Sequence, residues 1–369
     1  MCAQKSEAQF VTTHAKSTTP GKEDGVYYAL PQTVLCLDFV VEEISSYRGP
    51  YSDFATRYLG ATNYIRNNDK EYKILDVVMT ANSDADPNAT FFVTFKGKSK
   101  ENPIVFGLQP NGVILSVGEN DVKLDTGSKV SKTVISNESD VFFQYSMQDN
   151  TYQKLDSVVR KITVDTTVIF KNIYNTSLES RSSEQKAKLA ADRLEQIRDA
   201  RFKLLSGYQE VGYEPATMVY MDNELQQLEN DYACLFVGKK VSRIISKKIY
   251  VIPSKELTTL TVGKFSKFDG LTIGTSGNGE PITVQTLSLQ NTSKIKAPSL
   301  SAVEAAVHEN KIFYRIPEMA NIKVSCGERV LLEDRRIVDQ LGVFALAPLN
   351  KAKLVFDPFT GQVINLKVQ

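Results

Sequence analysis

The stretch Ala187-Lys-Leu-Ala190-Ala-Asp-Arg-Leu194-Glu-Gln-Ile197-Arg-Asp-Ala-Arg201-Phe-Lys-Leu204 carries a stripe whose members step by 3, 4, 3, 4 and 3. Met218, Met221, Leu225, Leu228, Tyr232 and Leu235 step in the same way. An α-helix turns once in about 3.6 residues, so each set falls on one face and predicts two helices packed stripe to stripe. Local punctuation agrees with this. Ser182-Ser-Glu-Gln185 is a capping box, Gly207 stops the first helix, Pro215 sits at the first turn of the second, and Gly238 stops it. The loop between them, near Ser206 to Tyr213, is short, which predicts antiparallel neighbours of about 23 residues and roughly 35 Å each.

On both sides of this hairpin the pattern is β. Tyr27 to Leu30 and Val34 to Val41 are rich in β-branched and aromatic residues. Tyr51 to Gly60 reads as a short helix with Gly60 as its stop. Strands are expected at Lys73 to Met79 and Thr90 to Phe95, around a turn, and a hairpin at Ile104 to Val117 with Asn111-Gly112 at its tip. Val141 to Tyr145 and Lys161 to Phe170 are further strand candidates. After Lys239 strands are expected at 241–252, 258–265, 271–274 and 282–289, then a short helix near Ser301. Closely spaced strands follow from Lys311 onward, with Asp357-Pro-Phe-Thr-Gly361 as a turn. The fold class is therefore α+β, mostly β: two antiparallel β-rich regions flanking a long antiparallel helical hairpin. The expected division is a polar tether over 1–25, a β-rich domain over 26–180, the hairpin over 181–239 and a second β-rich domain over 240–369.

Composition narrows the function classes. The chain has 369 residues, a formal net charge of +1, 42% apolar residues and 24% charged residues. That is enough apolar material for a sizeable core, and it gives no global attraction to nucleic acid. No apolar run reaches the roughly 18 residues of a membrane helix. With only two histidines, His14 and His308, sites built on several histidines are excluded. His14 falls in the polar N-terminal stretch. His308 reads as a solvent-facing residue near a helix end. The four cysteines, Cys2, Cys36, Cys234 and Cys326, show no metal-ligand spacing, and no pairing follows from their positions.

Three segments have the look of chemistry. Asn82-Ser-Asp84-Ala-Asp86-Pro-Asn88 alternates oxygen-bearing side chains as calcium loops do, but Pro87 and Val93 stand where Gly and Glu are required. It reads as a polar turn. Gly274-Thr-Ser-Gly277-Asn-Gly279 precedes a strand rather than a helix, so it reads as a hairpin tip and not as a phosphate cradle. Lys239, Lys240, Arg243, Lys247, Lys248 and Lys255 form a basic run that reads as a solvated face. No catalytic residue, cofactor site or metal site is selected. Met1-Cys2-Ala3-Gln4 before a polar stretch looks like the remainder of a trimmed export signal, with Cys2 as a candidate lipid-attachment residue.

One internal echo is visible: Tyr28-Ala-Leu-Pro31 resembles Tyr314-Arg-Ile-Pro317, and Phe106 to Pro110 resembles Phe344 to Pro348, but at very different spacings, so that two related β units and a chance likeness both stand as readings. The ordered set of motifs resembles a family of Bacteroidetes envelope proteins, the domain of unknown function 4831 family. It is carried by Tyr28-Ala-Leu-Pro31, Gly49-Pro-Tyr with Ala55 and Tyr58-Leu-Gly60, and Asp86-Pro87. Within the hairpin it is carried by Ile197 to Gly207, Leu228-Glu and Leu235-Phe-Val-Gly238-Lys. Tyr314-Arg-Ile-Pro317, Gln340-Leu-Gly342 and Asp357-Pro-Phe-Thr-Gly361 complete it. The resemblance implies export to the cell envelope and no known activity, ligand or catalytic residue. The expected function is a non-enzymatic binding or assembly protein of the envelope, with a partner protein or a glycan as its ligand, without a transmembrane span and with Cys2 as a candidate anchor. The alternative is a hydrolase working with carboxylates.

Overall fold

The computed structural model describes residues 10–17, 24–95, 105–118, 151–164, 167–208, 212–349 and 352–368. Cys2 and the strand expected at Val141 to Tyr145 lie outside the described residues. The early strands are β1 (Phe10–His14), β2 (Gly25–Tyr47), β3 (Asp69–Phe95), β4 (Phe106–Leu108), β5 (Ile114–Val117), β6 (Thr151–Val164) and β7 (Thr167–Ser180). The later ones are β8 (Lys239–Val251), β9 (Thr259–Ser266), β10 (Gly270–Ile273), β11 (Glu280–Ser288), β12 (His308–Glu309), β13 (Lys311–Cys326), β14 (Arg329–Pro348), β15 (Ala352–Phe356) and β16 (Val363–Val368). The helices are α1 (Ala55–Leu59), α2 (Ser183–Ser206), α3 (Pro215–Val237) and α4 (Leu300–Ala305). The protein is mostly β, in several antiparallel sheets, with two long helices.

The chain divides into two compact units, each assembled from separate segments. The first comprises residues 1–42, 72–133 and 244–369, the second 43–71 and 134–243. In the first unit, residues of β2, β3 and β8 share a core with the sheet ordered β10-β9-β11-β13-β14. Leu35, Leu37 and Phe39 alternate along β2 into that core, and Ile282, Val284, Ile322 and Val324 meet them. A second core of the same unit gathers Tyr28, Phe91, Phe313, Leu354 and Phe356. Phe91 stacks on Phe313 at a centroid distance of 4.6 Å. The Tyr28 hydroxyl accepts from the Phe313 amide at 3.0 Å, and burial pushes its phenol far up, so it stays protonated.

In the second unit Ala55, Ala187, Ala190, Leu235 and Phe236 form the core. Helix α2 opens on the expected capping box, Ser182 with Gln185, and ends at Gly207 with φ 73°. Helix α3 has Pro215 in its first turn and ends at Gly238 with φ 85°. Arg201 lies in the stripe of α2 because it reaches α3: its guanidinium meets Asp222 at 2.7 Å and Glu229 at 3.2 Å. Arg198 meets Glu229 at 2.9 Å, and the two arginines hold that carboxyl below the usual carboxylate range.

Several expectations are corrected. The polar tether fails at Phe10–His14, which is a buried strand between β12 and β3. Its polar groups have partners: Thr12 Oγ1 donates to the Lys311 carbonyl at 2.6 Å, and His14 Nδ1 accepts from the Lys16 amide. The turn between Met79 and Thr90 is absent, since β3 runs unbroken through it. The segment Lys161 to Phe170 is not one strand but the far end of the β6–β7 hairpin. The glycine-rich segment 274–279 links β10 to β11, which both pair with β9, so it is a connection past a strand and not a hairpin tip. His308 sits in β12, edge-on to Phe313 at 4.8 Å, and burial lowers its pKa. The basic run is partly engaged: Lys247 and Lys255 donate to the carbonyls of Leu271 and Gly342, and Arg243 pairs with Glu43.

Candidate functional site

The site lies in the first unit and begins with a proline inside a strand. Pro317 cannot donate to a ladder, and the β13–β14 pairing breaks there. Ile316 pairs with Val343 and Glu318 with Val338, so Pro317 alone stands opposite the segment Asp339-Gln-Leu-Gly342. The excess length on β14 leaves the ladder as a wide bulge. Gly342 permits this crossing: a Cβ there would stand 1.9 Å from the Ile316 carbonyl oxygen.

The bulge is fastened to β2. Gln340 acts as a stand-in strand for Thr33, its Oε1 accepting from the Thr33 amide and its Nε2 donating to the Thr33 carbonyl, both at 2.9 Å. The same Nε2 donates to the Pro253 carbonyl. The Asp339 amide donates to Thr33 Oγ1 at 3.0 Å, and Lys255 Nζ donates to the Gly342 carbonyl at 2.6 Å. Nearby, Arg315 is buried and fully engaged. It donates to the Pro31 carbonyl at 2.6 Å, pairs with Asp86 at 2.8 Å and lies over the Phe344 ring at 5.0 Å. The two halves of the Tyr-x-x-Pro echo thus meet through Arg315 and the Tyr28 hydroxyl.

Asp357-Pro-Phe-Thr-Gly361 closes the site as the expected turn. Asp357 Oδ1 accepts from the amides of Phe359 and Thr360 at 2.9 and 2.7 Å, and Gly361 has φ 64°. The turn leaves Phe359 well exposed and brings it, with Thr360, to the edge of a cavity of about 380 Å³. Thr33, Asn82, Ser83, Arg336 and Asp339 line the same cavity. The volume lies within the range of about 300–1,000 Å³ typical of small-molecule pockets.

The polar groups of this lining are under-satisfied. Asp339 Oδ1 and Oδ2, Arg336 Nε and Ser83 Oγ are buried without a hydrogen-bonding partner among the described residues. The one further atom of this kind, Arg181 Nε, belongs to the other unit. A buried polar atom without a protein partner takes its hydrogen bond from water or a ligand, and four such atoms stand around this one cavity. Burial pushes the Asp339 carboxyl up from 3.8 to about 7; the Thr33 hydroxyl, which lies close but holds the Asp339 amide rather than the carboxyl in hydrogen-bonding geometry, and the Arg315 charge oppose the rise, and Asp357 adds to it. Asp339 is therefore poised to both donate and accept near neutral pH. Arg335 also lines the cavity, and Arg336 pairs with Asp334 at 2.7 Å, so two guanidinium groups and one carboxyl face it and one of the guanidinium groups is already neutralised from outside.

The family model described as Domain of unknown function (DUF4831) matches residues 24–364. The chain belongs to the DUF4831 family. No curated protein and no solved structure matches it. In this DUF4831 chain the motifs that carried the resemblance fall in both units: those at 49–60 and 197–239 lie in the second, while Pro31, Asp86, Arg315, Gln340, Gly342 and the Asp357 turn lie in the first. Of these, Gln340 and Gly342 belong to the bulge that carries Asp339, the Asp357 turn brings Phe359 and Thr360 to the cavity, and Arg315 ties Pro31 to Asp86. Sequence reading saw these motifs but missed Asp339, Ser83 and Arg336. Pro317 within an otherwise alternating strand was the available signal. Asp86, weighed as a calcium-type ligand, is Arg315's counter-ion instead. Among the described residues no three His, Cys, Asp or Glu side chains gather as a metal cluster.

Proposed function

We propose that this protein is a non-enzymatic binding protein of the cell envelope, and that its first-unit pocket takes a neutral, polyhydroxylated ligand of the glycan class. The observation that carries the reading is the concentration of unpartnered polar atoms on Asp339, Arg336 and Ser83 around one cavity with an exposed aromatic ring at its edge. Sugar hydroxyls donate and accept at once, which suits a carboxyl, a guanidinium and a serine side by side. The apolar face of a sugar ring suits Phe359. An anionic ligand suits the pocket less, because Asp339 stands in the lining and Arg336 is already paired with Asp334. Export to the envelope is part of this proposal, with Cys2 as the candidate anchor. The packed pair α2 and α3 supports a further role in holding an envelope partner, as an antiparallel hairpin.

The hydrolase reading has one observation in its favour, the raised carboxyl of Asp339, which suits a general acid. A two-carboxylate mechanism needs a second acid facing it. Asp86 is occupied by Arg315, and Asp357 by its own turn. The test is a glycan microarray with the full chain, followed by calorimetry of the strongest neutral saccharide on the wild type, Asp339→Asn and Phe359→Ala. Binding weakened tenfold or more by both substitutions supports the reading. Absence of any saccharide ligand, or binding indifferent to both substitutions, overturns it. Release of reducing ends from the bound saccharide would move the protein to the hydrolase class.

A further inference from the structure

Strands β6 and β7 pair over their whole length, from Thr151 with Ser180 to Val164 with Thr167, without a bulge, and among the described residues they form a sheet of two strands. Alternation sorts their side chains onto two faces. One face carries Leu155, Val159, Phe170, Tyr174 and Leu178, exposed by 62, 58, 68, 61 and 74%. The ladder places them together: Leu155 stands opposite Thr176, Val159 opposite Asn172, and Phe170 opposite Lys161. The other face mixes Lys154, Asp156, Arg160, Lys171 and Glu179 with Tyr152, Val158 and Ile173, and Lys154 and Glu179 pair there at 3.0 Å. An isolated two-stranded sheet is marginal in water, and one that also shows five large apolar side chains has its hydrophobic driving force unused.

We infer that this ribbon is a self-association surface and that its occupant is the ribbon of a second copy of the chain. Two arguments favour a second copy. The first is area. The five side chains present on the order of 600 Å² of apolar surface, so two identical faces would bury roughly 1,200 Å², the lower bound for a specific interface. The second is charge. Lys161 is the one charged residue among the described positions of the apolar face, so apposing two such faces across a two-fold axis sets no block of like charge together. The faces that hold Lys154, Asp156, Arg160, Lys171 and Glu179 then point outward on both sides, as in a two-sheet sandwich whose layers lie about 10 Å apart.

The experiment is sedimentation velocity of the full chain over a micromolar concentration series, with three proteins. The wild type is expected to shift from one to two chain masses as concentration rises. Phe170→Ser with Leu178→Lys is expected to stay at one mass at every concentration, with unchanged circular dichroism, because both side chains are exposed and hold no core. Val158→Ser, on the opposite face, is expected to dimerise as the wild type does. A wild type that remains monomeric throughout overturns the inference. So does a dimer that survives the apolar-face substitutions. A monomer whose ribbon amides are strongly protected from hydrogen exchange also overturns it, and would assign the face to another part of the same chain.

Discussion

Asp339→Asn separates the cost of the pocket from its use. The Asp339 carboxyl rises from 3.8 to about 7 on folding, mainly by burial. Between those values the folded protein holds a proton that the unfolded chain has released, so stability falls as pH rises through the window and levels off above about 7. Each tenfold in proton affinity is worth about 1.4 kcal/mol, so the whole effect is on the order of 4 kcal/mol. Asparagine fills the same space, keeps the amide bond to Thr33 Oγ1 and does not titrate. The variant is therefore expected to be more stable than the wild type at pH 8, by up to about 4 kcal/mol, and close to it below pH 4. Urea denaturation of both proteins at pH 5, 6, 7 and 8 measures the gap directly, and other titrating groups cancel in the difference. The gap should widen by about 1.4 kcal/mol per pH step until pH 7 and then stay constant. A gap independent of pH would refute the reasoning, because it would mean that the carboxylate is solvated or paired. A gap of the expected form would mark a carboxyl held at a cost in stability, as functional sites do.

Other substitutions probe the frame around the pocket. Arg315→Ala leaves Asp86 buried without its partner and should cost about 3–5 kcal/mol by thermal or chemical denaturation, while Arg315→Met with Asp86→Leu should recover most of the loss. Gly342→Ala sets a methyl group 1.9 Å from the Ile316 oxygen, so the bulge must open; a loss above about 2 kcal/mol in urea titration is expected. Gly207→Val meets open space and only the strain of φ 73°, about 1–2 kcal/mol. Gly238→Val adds a collision with the Tyr47 carbonyl to φ 85°, so it should lower the melting temperature more than Gly207→Val does. Equal effects would count against the tight packing seen at Gly238.

Features set by neighbours in sequence were legible. The capping box at Ser182, the stops at Gly207 and Gly238, the Asn111-Gly112 tip and the Asp357 turn all depend on residues a few positions apart. Features set by distant partners were not. Asn82 to Asn88 has turn composition, yet it continues β3 because Asp86 is neutralised by Arg315, 229 positions away. The segment Phe10 to His14 has tether composition, yet it is buried because its polar groups find Lys311, Asn88 and Asn310. The pocket was the least legible part. Asp339 comes to the cavity only because Pro317, on the facing strand, forces the bulge, and nothing adjacent to Asp339 announces it. The second β region was read as closely spaced short strands because Pro317 and the segment around Asp339 interrupt the alternation. The structure makes them two long strands, β13 and β14, with the interruption serving as the site.

The central claim is that the unpartnered groups around the cavity are ligand contacts. A high-resolution crystal structure of the full chain grown with the strongest saccharide from the array tests it most directly. The account predicts sugar density in the cavity, with ligand hydroxyls within hydrogen-bonding distance of the Asp339 carboxyl and Arg336 Nε and a ring face against Phe359. Sugar bound elsewhere, with ordered water alone satisfying Ser83, Arg336 and Asp339, would contradict it.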